Sequence, residues 1–380
     1  MRDPIYLDHN ATTPLLPAVV DAMLPHLREH FGNPSSAHIY GRRAREAVDT
    51  ARERVASLLG CEGAEVFFTS GGTEASNLAI RGVVEATPAR RHVITTAIEH
   101  PATLAPCGWL EARGHRVTRL AVDAHGRARL DALLEAIDAD TSLVSVIHAN
   151  NETGVLQPVA AMAAVARSLG AVLHVDAAQS IGKVSVRVDA LGADLVSVAG
   201  HKLYAPKGVG ALYVRTGTAI APFARGAGHE RGLRPGTENV ASIVGLGVAC
   251  EVAERSLEAT SSAAAALRDR LWERLRAAVP GLALNGHPVE RLPNTLNVRF
   301  PGVSGTALLS AVPEVAASTG SACHAEGETA SAVILAMGVA PSEALSSVRL
   351  STGRLNDAAQ IDRAADLLAA AWRGLRQLNV

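Results

Sequence analysis

Two apolar runs of strand length, each ending in a residue of opposite charge, constrain this chain more than any other feature. Ala171-Val172-Leu173-His174-Val175 ends in Asp176, and Leu195-Val196-Ser197-Val198 leads through Ala199-Gly200-His201 to Lys202. Short runs rich in apolar and β-branched residues read as buried strands. Glu65–Thr69, His92–Ala97 and Leu143–Ile147 precede them with the same character, and Gly208–Val214 follows. Helical patterns fall between, at 75–84, from Pro101 onward and at 159–169. Strands alternating with helices from 65 to 214 predict right-handed βαβ units and an α/β fold with a mostly parallel sheet. The C-terminal strand ends of such a sheet form its ligand face, and Asp176 and Lys202 both fall there.

An acid and a lysine in those places are what pyridoxal 5'-phosphate chemistry requires. The lysine holds the aldehyde as a Schiff base, and the acid keeps the pyridine nitrogen protonated so that the ring can draw electrons. For the pair taken alone, the alternative is a buried structural ion pair. The surrounding sequence favours the cofactor. Ser70-Gly71-Gly72-Thr73 joins the strand ending at Thr69 to a helix, and a helix start with free N–H groups attracts an anion such as a phosphate. Thr73 adds a hydroxyl. His100 follows another strand on the same face, with Pro101 suited to the first helical position. Asn33, and Asn150-Asn151 before Gly154, sit in turn-forming stretches, where turning the chain is the simpler explanation.

Outside that block, helices are expected at 17–30 and 40–59. A glycine-rich loop spans Gly226–Asn239, and an alanine-rich helical stretch, 239–278, bridges to a second domain. That domain holds a strand at 294–300, a helix near 305–311, strands at 315–318 and 348–351, and a final amphipathic helix at 357–377. The expected division is a large α/β domain, 15–255, and a small α+β domain, 256–380 with 1–14.

Composition excludes several functions. Net charge is -1 with 19% charged residues, so no basic excess exists to neutralise nucleic-acid phosphates. Aromatics are 3%, too few for base-stacking platforms. No apolar span is long enough for a membrane helix, and Met1–Ile5 lacks the apolar core of a signal peptide. The four cysteines, at 61, 107, 250 and 323, make neither a disulfide framework nor a CxxC zinc site. No metal is expected. A GxGxxG nucleotide fingerprint after the first strand is absent. These features lead us to expect a cytoplasmic protein of enzyme size.

With these residues in view, the chain resembles the cysteine desulfurase family, fold type I pyridoxal-phosphate enzymes of the class V aminotransferase superfamily. The resemblance covers nearly the whole chain and rests on LDHNATTP, FGNPSS, FTSGGTE, EH at 99–100, NNETG, HVDAAQ, GHKLYAPKGVGALY, GHERGLRPGTEN, LPNTLN, GSAC and VRLSTGR. It implies that Lys202 binds the cofactor aldehyde, Asp176 pairs with the pyridine nitrogen, and Gln179 bonds the phenolic oxygen. His100 would stack on the ring and move protons. Gly72, Thr73 and His201 would hold the phosphate, joined by Thr237 from a second subunit. Arg349 would grip the carboxylate of L-cysteine, with Asn151 and Asn33 beside it, and Cys323 would take the sulfur as a persulfide. The implied partners are a second copy of the chain and a sulfur acceptor such as an iron–sulfur scaffold.

Two departures stand out. Ala199 occupies a position where the family often has a phosphate-binding serine. The stretch Cys323-His324-Ala325-Glu326-Gly327-Glu328, with RPGTEN and NNETG, is closer to the selenocysteine lyase branch, which makes L-selenocysteine the alternative substrate. More distant alternatives are another class V aminotransferase or lyase, or a binding module without catalysis.

Overall fold

Strands buried on both faces must be apolar along their length, and the centre of the main sheet obeys this rule. Every residue of Thr141–Ile147 and of His92–Thr96 is buried. The computed structural model describes residues 4–319 and 329–378. Across its seven-stranded sheet the order is Val66–Thr69, Gly210–Val214, Leu195–Ala199, Val172–Asp176, Thr141–Ile147, His92–Thr96 and Arg116–Leu120. All neighbours pair in parallel except Gly210–Val214, which runs antiparallel to the strand on each side. A parallel return needs a crossover of a dozen or more residues. Residues 200–209 hold only the 3-10 turn Gly200–Lys202, so the chain doubles back beside the strand it has just left.

Alternate residues of the strands face opposite layers. Val144, Val146, Leu173 and Val175 pack with helices Ile39–Leu59 and Val159–Ser168 and with the start of the long helix Val240–Ala278. Leu143, Leu195 and Leu212 face helices Gly72–Ala86 and Pro101–Glu111 on the other side.

The long helix then leaves this core and enters a second one. Its Leu271 and Leu275 pack with Leu296, Val298, Val348 and Leu350 of an antiparallel sheet, and with Ile361 and Leu368 of the last helix, Ala358–Leu378. That sheet has the order Ser347–Ser351, Thr295–Arg299, Ala283–Leu284. The N-terminal strand Ile5–Tyr6 runs parallel to Val315–Ala316 on the same core.

Several elements differ from expectation. The helix placed at 75–84 begins at Gly72 and runs to Ala86, because the glycines are part of its first turn. Strand Arg116–Leu120 and helix Leu130–Ala136 were not legible. The strand lies at the sheet edge with Arg116 and Arg119 exposed, so it lacks an apolar run.

The opposite edge, Val66–Thr69, is covered by the glycine-rich loop. Glu230 accepts a hydrogen bond from the Phe68 N–H (2.8 Å), while Arg52 and Arg231 each donate to the Val66 carbonyl (2.7 Å each). Glu230 and Arg52 form a buried two-point ion pair at 2.7 and 2.8 Å. Glu230 and Arg231 both have positive φ, 45° and 54°, a conformation side chains adopt at a cost. These bonds hold it in place. They also satisfy edge groups that would otherwise invite strand pairing. Among the described residues, no helix is long and apolar enough to cross a membrane.

Candidate active site

Asp176 is the last residue of its strand and is buried, with one carboxylate oxygen accepting the Ala178 N–H at 2.9 Å. Burial pushes its carboxyl upward, while His100 and Lys202 pull the other way. Lys202 ends the 3-10 turn after the neighbouring strand. Its amine donates to the Asn10 carbonyl and, at 2.9 Å, to the Ala11 carbonyl. Burial, reinforced by Arg349, brings its ammonium down to about 8, against the opposing pull of Asp8 and Asp176. An amine of that basicity is neutral in about a tenth of molecules at pH 7, far more than an ordinary lysine, and the neutral amine is the state that attacks an aldehyde.

His100 caps helix Pro101–Glu111, its Nδ1 accepting the Ala102 N–H at 3.1 Å. In the neutral ring the proton therefore sits on Nε2. Burial and Lys202 favour that neutral form; Asp176 opposes them. His201, brought down to about 4 mainly by burial, shares a 3.2 Å contact between Nδ1 and the Thr12 hydroxyl.

Arg349, on the strand Ser347–Ser351, is buried and held in two places. It donates to Asp8 Oδ1 at 2.6 Å and to the Asn151 carbonyl at 3.0 Å. Its Nε has no partner among the described residues. Ser318 bridges to Arg349 through paired backbone bonds, so residue 318 lies beside the backbone of this strand. Cys323, with His324, Glu326 and Glu328, lies outside the described residues.

The helix opening at Gly72 has the character of an anion cradle. Gly71 lacks a capping side chain and adopts φ 151°, ψ -179°, a conformation confined in practice to glycine. A Cβ on Gly71 would meet open space, whereas one on Gly72 would come within 3.1 Å of the Ala199 Cβ. Position 199 thus faces the cradle with a methyl group. Thr73, in the first turn, is exposed. Uncapped N–H groups, a neighbouring lysine of low basicity and a buried acid form the donor set that pyridoxal phosphate needs, and the residues fit the group.

Asp176, Gln179, His100, Lys202 and Arg349 are thus linked by bonds or fields, with His201 and Asn151 adjoining them. Asn33 and Thr237 are exposed. The Asn33 carbonyl oxygen Oδ1 accepts the Ser35 N–H at 2.9 Å, and neither residue is joined to this group within one chain.

Three contributors escaped sequence reading. Asn10, fully buried, joins the two cores: its side chain meets Lys183, Asn294 and Thr295, and its carbonyl meets Lys202 and Gln179. Asp8 holds Arg349. Glu99 is buried, is pushed up to about 8 by burial, and ties the ends of two strands by accepting from Thr96 (2.5 Å) and the Ile147 N–H (3.0 Å). LDHNATTP reads as a polar segment before a helix, and only the fold reveals that it is threaded between two cores.

Comparison with known proteins gives the class first. The aminotransferase class-V profile matches residues 5–364, and the chain belongs to that family. A cysteine desulfurase of Trichormus azollae is 44% identical over 377 residues, covering 99% of this chain and 94% of that protein. Among solved structures, a NifS-like protein superposes with a TM-score of 0.91 at 35% identity, covering 98% and 99% of the two chains. SspA in complex with cysteine gives a TM-score of 0.81 at 37% identity, covering 91% and 98%.

Proposed function

We propose that the protein is a pyridoxal-phosphate-dependent cysteine desulfurase, which converts L-cysteine to L-alanine and passes the sulfur through Cys323 to an acceptor protein. The observation that carries this reading is the meeting of a weakly basic amine, a buried acid and a buried guanidinium at one end of the main sheet. The relative named cysteine desulfurase matches nearly the full chain, and SspA was solved with cysteine. Both favour cysteine over selenocysteine as the substrate.

The residues that would hold the cofactor are Lys202, Asp176, Gln179, His100, His201, Gly72, Thr73 and Asn151, with Thr237 supplied by a second copy of the chain. When bound, the cofactor supplies an aldehyde for amines and an electron sink for charge developing at the substrate α-carbon. Asp176 provides the negative charge that keeps the sink protonated. His100 presents Nε2, the nitrogen left free by its helix cap, for proton movement. Arg349 grips the substrate carboxylate with its guanidinium, which Asp8 and Asn151 orient, with Asn33 as a further substrate contact.

Cys323 attacks the substrate sulfur. The carbon–sulfur bond breaks as the sulfur–sulfur bond forms, and the electron pair left on carbon takes up a proton to give the methyl group of alanine. We read the chain as a cytoplasmic homodimer whose large domain (15–255) carries the cofactor and whose small domain (256–380 with 1–14) carries Arg349 and Cys323.

Product analysis tests this directly. Cysteine should yield alanine and, with a thiol reductant, an equal amount of sulfide, while Cys323→Ala should yield neither. Alanine from selenocysteine alone would assign the lyase function instead.

A further inference from the structure

Lys183 is a second lysine beside Lys202, and nothing in the proposed reaction uses it. It lies one turn beyond Gln179, and its Nζ donates to Gln179 Oε1 at 2.9 Å and to Asn10 Oδ1 at 3.1 Å. The directions of these bonds are fixed by a chain of groups that begins at a backbone carbonyl. Thr352 C=O accepts from Asn294 Nδ2 at 3.0 Å, and the same nitrogen donates to Asn10 Oδ1 at 3.1 Å. Asn10 Oδ1 is therefore an acceptor, so Lys183 donates to it. The Asn10 carbonyl can only accept, so the Gln179 atom facing it is nitrogen and the one facing Lys183 must be oxygen. The opposite end of that amide, Nε2, donates at 2.9 Å to the Asn10 carbonyl, the carbonyl that also receives the Lys202 amine.

We propose that Lys183 is a positioning residue that acts through Gln179, holding and polarising its amide so that the N–H2 end is presented beside Lys202 as a donor to the cofactor's phenolic oxygen. Asn10 C=O restrains one N–H of the amide, but without Lys183 the buried Oε1 loses its donor and the amide turns to recover one. The inference rests on the reading that Lys202 carries pyridoxal phosphate. The charged or titratable groups facing Lys183 are Lys202 from the 3-10 turn, Arg349 from the C-terminal sheet and His9 from the N-terminal segment; Asp8 and Asp176 face Lys202. Burial, Lys202 and Arg349 together depress the Lys183 ammonium. A cavity of about 290 Å³, walled also by His9, Lys202, Asn294 and Arg354, adjoins the Lys183 side chain and leaves room for replacements.

The test is the pH midpoint of the visible absorbance of the cofactor-loaded protein, measured for the parent, Lys183→Met, Gln179→Ala and the double variant. A donor on the phenolic oxygen favours the deprotonated cofactor–lysine linkage, so losing it raises the midpoint. Lys183→Met should raise it by about 1 unit, tenfold in proton affinity, and Lys183→Arg should restore it. In the Gln179→Ala background the same change should add little, as expected for two residues acting as one unit. If Lys183→Met fails to load, Lys183→Gln, which keeps a donor without the charge, should give a smaller rise. A Lys183 variant that titrates like the parent overturns the inference, as does an equal shift with and without Gln179. Absence of the visible band in the parent, or its survival in Lys202→Ala, would instead refute the cofactor reading itself.

Discussion

The end of the main sheet and the loop Gly226–Asn239 serve the same proposed site in opposite ways. At the sheet end, Asp176, Gln179 and Lys202 are held by the fold of one chain, at or just beyond the ends of two strands buried along nearly their whole length. The loop is fixed where Glu230 meets Arg52 and the Val66–Thr69 edge, and again where Arg234 pairs with Glu74 at 2.7 Å. Its far part leaves Thr237 exposed. A phosphate needs donors on several sides, and one chain presents the Gly72 cradle and His201. On the proposed homodimer reading, the floor of the site folds with the monomer and its rim is completed by assembly.

The largest effects should fall on the floor. Lys202→Ala should abolish turnover and visible absorbance in a folded protein. In the parent, cofactor capture by cofactor-free protein should rise about tenfold per pH unit below the lysine's value of about 8 and level off above it. A rate still climbing at pH 10 would mean that the fold does not depress this amine.

Asp176→Asn should leave the cofactor bound and slow turnover roughly hundredfold or more, a barrier increase of about 2.7 kcal/mol. Steady-state kinetics on the loaded variant decide it, and near-parental rates would remove Asp176 from the chemistry. At the base of the rim, Glu230→Ala strands the buried Arg52 guanidinium. Removing one partner of a buried pair costs about 3–5 kcal/mol, readable by denaturant unfolding. The same variant should lose activity on dilution more steeply than the parent, since the loop carrying Thr237 keeps the Arg234–Glu74 pair but loses its other anchor. A destabilised variant with an unchanged dilution profile would separate the loop from assembly.

The smallest effect concerns the cradle. Ala199→Ser places a hydroxyl where the methyl faces Gly72, and one added hydrogen bond of about 1 kcal/mol should slow cofactor loss roughly fivefold. Unchanged release would show that the phosphate does not sit there.

The floor was legible in the sequence because strand ends announce themselves: an apolar run stops, and the next polar residue stands on the ligand face. Asp176 follows that rule itself, and Gly72, His100 and Lys202 lie within four positions of such a strand end. Asn10, Asp8 and Lys183 do not, because their roles depend on the N-terminal segment passing between two cores, a relation between residues up to 341 positions apart, as for Asp8 and Arg349. The reversed direction of Gly210–Val214 was hidden for a similar reason, since pairing sense follows from the length of the preceding turn rather than from the strand's own residues.

The central claim is that Lys202 is the lysine that carries the cofactor. Borohydride reduction of the loaded protein, followed by peptide mapping, tests it most directly, because the cofactor becomes permanently joined to whichever amine held it. The pyridoxyl mark is expected on Lys202 alone. A mark on Lys183 or Lys207, with Lys202 unmodified, would contradict the account.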